Sequence, residues 1–200
     1  MSVTKYNGVR QQIENGDIAL FRGTHLLART IQWGDAMPDL LGNMRKAYYN
    51  HCALIFKKGE RLLTIDSVAN GVQPHFLSHL MKGYIDFCIV RPTGFSGGQI
   101  DDAVNRATAK AEQGIKYDFW MLPRIGLYRR FGLDAKKLGS TDRDTCSEFT
   151  GRRYGAEILG INSYKDIVEK QNFISPQDHI RYASKQIQIK FDDRKLLKQK

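Results

Sequence analysis

Thr145-Cys146-Ser147-Glu148 is the stretch of this chain whose residue types and spacing point most directly to chemistry. A threonine followed three residues later by a glutamate is a capping box, in which each side chain satisfies an orphan backbone donor of the other at a helix start. The pattern predicts Thr145 as the N-cap and Cys146 as the first helical residue. There the unpaired N–H groups and the positive end of the helix dipole favour a thiolate, lowering the pKa of the thiol below its ordinary value. Cys146 is therefore a candidate nucleophile, and the same donors suit the oxyanion of a tetrahedral intermediate. A buried structural cysteine fits the motif as well.

A thiol nucleophile needs a base, and His51 is the best placed of five histidines. The runs His51-Cys52-Ala53-Leu54-Ile55-Phe56 and Arg61-Leu62-Leu63-Thr64-Ile65-Asp66 flank Lys57-Lys58-Gly59-Glu60 and predict a β-hairpin. With Lys58 and Gly59 as the two loop residues, Leu54 faces Leu63 and His51 faces Asp66. Directly opposed residues share a face, with Cβ atoms about 4.5–5.5 Å apart, which lets a carboxylate orient an imidazole. A one-residue slip would send the two side chains to opposite faces. Cys52 and Cys88 lie inside apolar strand patterns and read as core. Alternation sends Cys52 to the face opposite His51, which excludes those two as a catalytic pair. His25 and His179 fall in expected helices, and His75 and His79 in a segment with no carboxylate or cysteine arranged around it. No metalloprotease helix spacing or paired cysteines occur, so a metal is not expected.

These residues must be held by a fold, and its elements are legible as alternating apolar runs and breakers. Residues 17–22, bounded by Gly16 and Gly23, predict a strand. Thr24 can cap a short helix carrying Leu26, Leu27 and Ile31, stopped at Gly34. Residues 35–50 read as a loop over a cleft. Phe87-Cys88-Ile89-Val90 is a buried strand. From Gln99 to Gln113 the spacing of Ile100, Ala103, Val104, Ala107 and Ala111 predicts an amphipathic helix closed by Gly114. The arginine-rich stretch 124–137 has no clear pattern and, with the 35–50 loop, is expected to shape specificity. Ser175-Pro176-Gln177-Asp178 reads as a helix start, and Ile187, Ile189 and Phe191 alternate as an edge strand does. Two to four helices among five or six strands make an α+β protein.

Two hundred residues make one domain, with a core over about 15–184 and a basic tail over 192–200. A hydrophobic content of 42% with 26% charged residues is globular, which excludes a disordered chain. The longest apolar runs fall far short of the roughly 18 residues of a spanning helix, and residues 1–8 lack an apolar signal core. Three cysteines without framework spacing suit a reducing compartment, so the expected location is the cytoplasm, in a bacterium or as a phage or virus product. The net charge of +10 suits an anionic surface, membrane or other polyanion. Because the basic residues are spread along the chain, a solvated tail is expected rather than a nucleic-acid site.

Taken in order, Asn15-Gly16-Asp17-Ile18-Ala19-Leu20-Phe21-Arg22-Gly23, Tyr49-Asn50-His51-Cys52-Ala53-Leu54-Ile55, an acidic residue in the next strand, Gly114-Ile115-Lys116-Tyr117-Asp118-Phe119 and Cys146-Ser147-Glu148-Phe149 resemble the circularly permuted branch of the NlpC/P60 superfamily. The chain is similar to the YiiX/YaeF-like permuted papain-like amidases, relatives of the lecithin:retinol acyltransferase group, and the resemblance spans about residues 15–184.

The resemblance implies a permuted papain-like α+β fold, with an antiparallel sheet or partial barrel packed against helices. It implies Cys146 as nucleophile, His51 as general base and then acid, and Asp66 as the residue that holds the imidazole. Aspartate departs from the glutamate or other polar residue usual at this position and reaches one methylene less far. Tyr117 and Tyr49 are the expected substrate contacts. The implied reaction is acyl transfer through a thioester, without a cofactor, on a peptide, amide or acyl-lipid substrate. A cysteine hydrolase of the peptidase or amidase type is the leading expectation. A lipid-directed acyltransferase or thioesterase, and a non-catalytic polyanion-binding module, are the alternatives.

Overall fold

A computed structural model describes residues 10–24, 29, 48–92, 94–118, 143–146, 150, 179 and 183–190, with the backbone alone for 143–144 and 183–190. In chain order the strands are β1 (Ile18–Arg22), β2 (His51–Lys58), β3 (Arg61–Val68), β4 (Gly71–Phe76), β5 (Asp86–Pro92), β6 (Lys116–Tyr117), β7 (Arg143–Asp144) and β8 (Ala183–Lys190). Six of them form one sheet in the order β4-β3-β2-β1-β5-β8, with every neighbouring pair antiparallel. β6 and β7 form a separate parallel pair. A short helix α1 (Leu77–Leu80) runs into a 3-10 turn at Met81–Gly83, and the long helix α2 (Gly97–Glu112) follows β5. The architecture is α+β.

The central strands read as continuous apolar runs because both faces of the sheet are covered. On one face Leu20, Cys52, Leu54, Ile65 and Cys88 pack beneath Ala103, Val104 and Ala107 of α2. On the other, Phe21, Ala53, Ile55, Phe87 and Ile89 pack against Ile13, Leu77 and Met81. Fully burying side chains of this size contributes about 1.5–3 kcal/mol each. α2 starts two residues before the expected Gln99. Ser96 and Gln99 form a capping box that fixes its first turn, and its buried residues Ala103, Val104 and Ala107 follow the expected stripe.

The hairpin forms, but its register differs from the expected one. Lys58 pairs with Arg61 and Leu54 with Ile65, so the loop is Gly59-Glu60 rather than Lys58-Gly59. The turn needs a left-handed residue at its first central position, and Gly59, at φ +58°, supplies it. The shift is two residues, which preserves the face of every side chain in a period of two. β4 was not anticipated. It lies at the sheet edge, where a proline such as Pro74 costs no ladder bond on the open side. The expected 24–34 helix, the 124–137 stretch, the start at Ser175 and the basic tail lie outside the described residues, apart from Thr24 and Arg29.

Candidate active site

One end of the sheet opens where β2 begins. β2 pairs with β1 as far as Phe21↔His51, whereas its pairing with β3 ends at Leu54↔Ile65. β3 meanwhile continues along β4 through Asp66↔Gln73 and Ser67↔Val72. The first three residues of β2 thus diverge from β3. His51 and Asp66 are diagonal neighbours across that opening, and such neighbours remain within reach of a ring side chain. The Asp66 carboxylate Oδ2 lies 2.6 Å from His51 Nε2. Asp66 is fully buried and His51 nearly so, so this is a desolvated, charge-assisted contact.

Cys146 is brought to the same end by a chain of backbone contacts. Val72 of β4 donates its N–H to the Ile115 carbonyl at 2.8 Å. The approach is so close that a Cβ on Gly71 would stand 2.5 Å from that oxygen, and Gly71 also takes φ +106°; only glycine fits both demands. Ile115 leads into β6, β6 pairs with β7 through Tyr117↔Asp144, and β7 delivers the chain to Cys146. Thr145 is not helical and Cys146 is. One turn on, the Thr150 hydroxyl donates to the Cys146 carbonyl at 2.9 Å. Glu148, the other half of the expected capping box, lies outside the described residues.

The Cys146 sulfur meets β2 at its open end. It accepts hydrogen bonds from the Cys52 thiol, the Cys52 backbone N–H and His51. The Cys52 bond contributes most, and with His51 it outweighs burial and holds the Cys146 thiol well below its ordinary pKa. His51 responds in the opposite sense. Burial pushes its pKa down, but the Cys146 thiolate and the Asp66 carboxylate prevail and raise it to about 10. Both directions describe a thiolate–imidazolium pair. With Nε2 committed to Asp66, Nδ1 is the ring nitrogen left for the sulfur.

Cys52 is a core residue, as its strand pattern predicts. Its thiol also reaches Thr150 Oγ1, at 3.6 Å, and this proximity to the Cys146 helix was not anticipated. Alternation does send Cys52 and His51 to different faces, yet a sulfur at the end of diverging strands touches both. Cys88 behaves differently: burial, only partly offset by a hydrogen bond from Tyr49, pushes its thiol up to about 11.

Aromatic rings complete the wall. Tyr84, which follows the 3-10 turn, stacks on His51 with ring centroids 5.7 Å apart and 1° between planes; Phe21 lies 6.0 Å away on the paired strand. Burial raises the Tyr84 pKa, and the nearby Asp66 and Cys146 charges raise it further, so it is a neutral phenol. Tyr49 and Tyr117, the expected substrate contacts, are both buried. Tyr49 packs edge-on against Tyr48 at 4.9 Å, and burial likewise raises its pKa. Tyr117 sits in β6 beside the segment that leads to Cys146.

One expectation is corrected. His75 does have a carboxylate beside it. It pairs with Thr64 on β3, on the face that carries Asp66, and its Nε2 lies 3.7 Å from Asp66 Oδ1. The alternation of β3 held this signal once β4 was recognised as its neighbour.

No protein-family model matches the chain, and no curated protein does. Among solved structures it is similar to the metalloprotein YiiX from Escherichia coli O157:H7, with 17% identity over 90% of this chain and 98% of that one and a TM-score of 0.56. At that identity the likeness shows the fold: the chain is YiiX-like in architecture, as its motif order implies. No helix among the described residues is long and apolar enough to cross a membrane.

Proposed function

We propose that the protein is a cysteine-dependent hydrolase, a peptidase or amidase, in which Cys146 at a helix start is the nucleophile, His51 the general base and acid, and Asp66 the residue that fixes the imidazole. The observation that carries this reading is the convergence of the Cys146 sulfur and the Asp66 carboxylate on one buried ring. The thiolate attacks the substrate carbonyl carbon, and the electron pair of the C=O bond moves to oxygen. As the tetrahedral adduct collapses, the imidazolium of His51 gives its proton to the departing amine or alcohol, leaving a thioester on Cys146. His51 then takes a proton from water, which attacks the thioester; the acid departs and the thiolate–imidazolium pair is restored. General acid–base help of this kind is worth about 10²–10⁴ in rate.

A metal ion, which YiiX is described as holding, has no part in this reading.

The test is incubation with an activated short-chain acyl ester, followed by mass mapping of the acylated residue. The expected result is a thioester on Cys146 that turns over, with acylation slowed at least about 100-fold in His51→Ala. Acylation at random surface nucleophiles, unaffected by His51→Ala, contradicts the proposal.

A further inference from the structure

The Asp66 carboxylate is fully buried, and among the described residues one of its oxygens is hydrogen-bonded. Oδ2 is taken by His51, whereas among the described residues neither Oδ1 nor the buried His75 Nε2 makes a hydrogen bond. These two complementary groups face each other at 3.7 Å, just beyond the 2.7–3.2 Å of an N–H···O bond. Both sit on adjoining strands, and β4 is tied to β3 there by Thr64, whose hydroxyl donates to the His75 carbonyl at 3.3 Å. A shortening of about 0.5 Å brings the two atoms into hydrogen-bond range.

We propose that His75 is a positioning residue for the reaction: it donates from Nε2–H to Asp66 Oδ1 and so holds the carboxylate plane that aims Oδ2 at His51. The inference rests on the hydrolase reading above. A carboxylate anchored at one oxygen can swing about its Cβ–Cγ bond, and each swing lengthens the 2.6 Å contact that selects the His51 tautomer. Anchoring both oxygens removes that freedom. His75 touches neither substrate nor sulfur and acts through Asp66 alone. Its side chain is about a third exposed.

The test compares His75→Phe, which keeps a ring but loses the donor, with His75→Gln, which keeps an N–H near the Nε2 position. The readouts are the rate of Cys146 alkylation by iodoacetamide and the ¹⁵N–¹H signal of His51 Nε2. The expected result is a loss of about threefold to tenfold in rate for His75→Phe, a shifted or exchange-broadened His51 signal, and recovery to within about twofold in His75→Gln. An unchanged rate and His51 signal in His75→Phe, or equal losses in both variants, overturns the proposal. If His75→Phe does not fold, the wild-type protein decides: ¹⁵N shifts must report His75 as the Nε2–H tautomer, and the Nδ1–H tautomer overturns it. Wild-type Cys146 no more reactive than Cys88 sinks the hydrolase reading itself. Selective wild-type reactivity with no effect of His75 sinks this inference alone.

Discussion

Asp17 and Asp66 are both buried carboxylates at the ends of central strands, and they are satisfied in opposite ways. Asp17, just before β1, is held from three sides: Arg91 Nε donates to Oδ1 at 2.8 Å, Arg91 Nη2 to Oδ2 at 3.0 Å, and the Glu14 N–H to Oδ2 at 2.8 Å. Arginine is permanently charged, so this carboxylate has a partner at every ordinary pH. Asp66 has, among the described residues, one short bond, to a group that can give up its proton, and its second oxygen faces another such group, His75, at 3.7 Å. The first arrangement fixes a fold. The second leaves proton position as a variable, which is what a reaction needs and a scaffold does not.

The largest expected effect breaks the scaffold side of this contrast. Arg91→Met strands the Asp17 charge and should cost about 3 kcal/mol of stability, at the lower end for a broken buried pair because Arg91 is partly exposed. Urea unfolding measures it, and Cys146 alkylation per folded molecule should not change. Asp66→Asn should do the reverse. It should slow alkylation about tenfold, the scale of a charge-assisted bond, while urea unfolding moves by less than about 1 kcal/mol because a partly unsatisfied buried charge has been removed.

The pH dependence of stability sharpens the same contrast. Taken singly, the raised His51 pKa contributes stability that is complete below its ordinary 6.5 and is lost as pH rises through about 10. The lowered Cys146 pKa contributes stability present above its ordinary 9.0 and lost as pH falls through its folded value. Between 6.5 and 9.0 the two cancel: folded and unfolded forms each hold one proton, and the pair gives no slope. Above that window the unfolded state has shed its thiol proton, so stability should fall by about 1 kcal/mol per pH unit until His51 titrates. Below it stability should fall again as the unfolded histidine charges. The difference between wild type and Cys146→Ala in urea midpoint against pH should trace this plateau; a monotonic difference contradicts it. Cys52→Ala removes the donor that contributes most to the lowered Cys146 pKa and should slow alkylation about tenfold at mildly acid pH, measured by the same labelling assay.

How legible the site was depended on which contacts survive an error in register. His51 and Asp66 could be matched from the sequence because both belong to one hairpin, and a shift of two residues preserves the shared face. Cys146 was read as a thiol at a helix start from Thr145 and Glu148; the structure describes Thr145 and Cys146 of that motif, while Glu148 lies outside the described residues. His75 was not, since Val72-Gln73-Pro74-His75 contains a proline that argues against a strand unless the strand lies at an edge. The Cys52 contact and the stacked Tyr84 were also hidden. One depends on where two strands part, the other on the exit of a 3-10 turn, and neither is encoded in a local period. The α2 stripe read correctly because Ala103, Val104 and Ala107 repeat every three to four residues.

The central claim, an ion pair between sulfur and imidazole, is tested most directly by the ultraviolet absorbance of thiolate in the native protein, taken as wild type minus Cys146→Ala. A difference band already present at about pH 6, where an ordinary thiol is protonated, and displaced to higher pH in His51→Ala, is the result predicted. A band that first appears near pH 9, with the same midpoint in His51→Ala, would contradict the account.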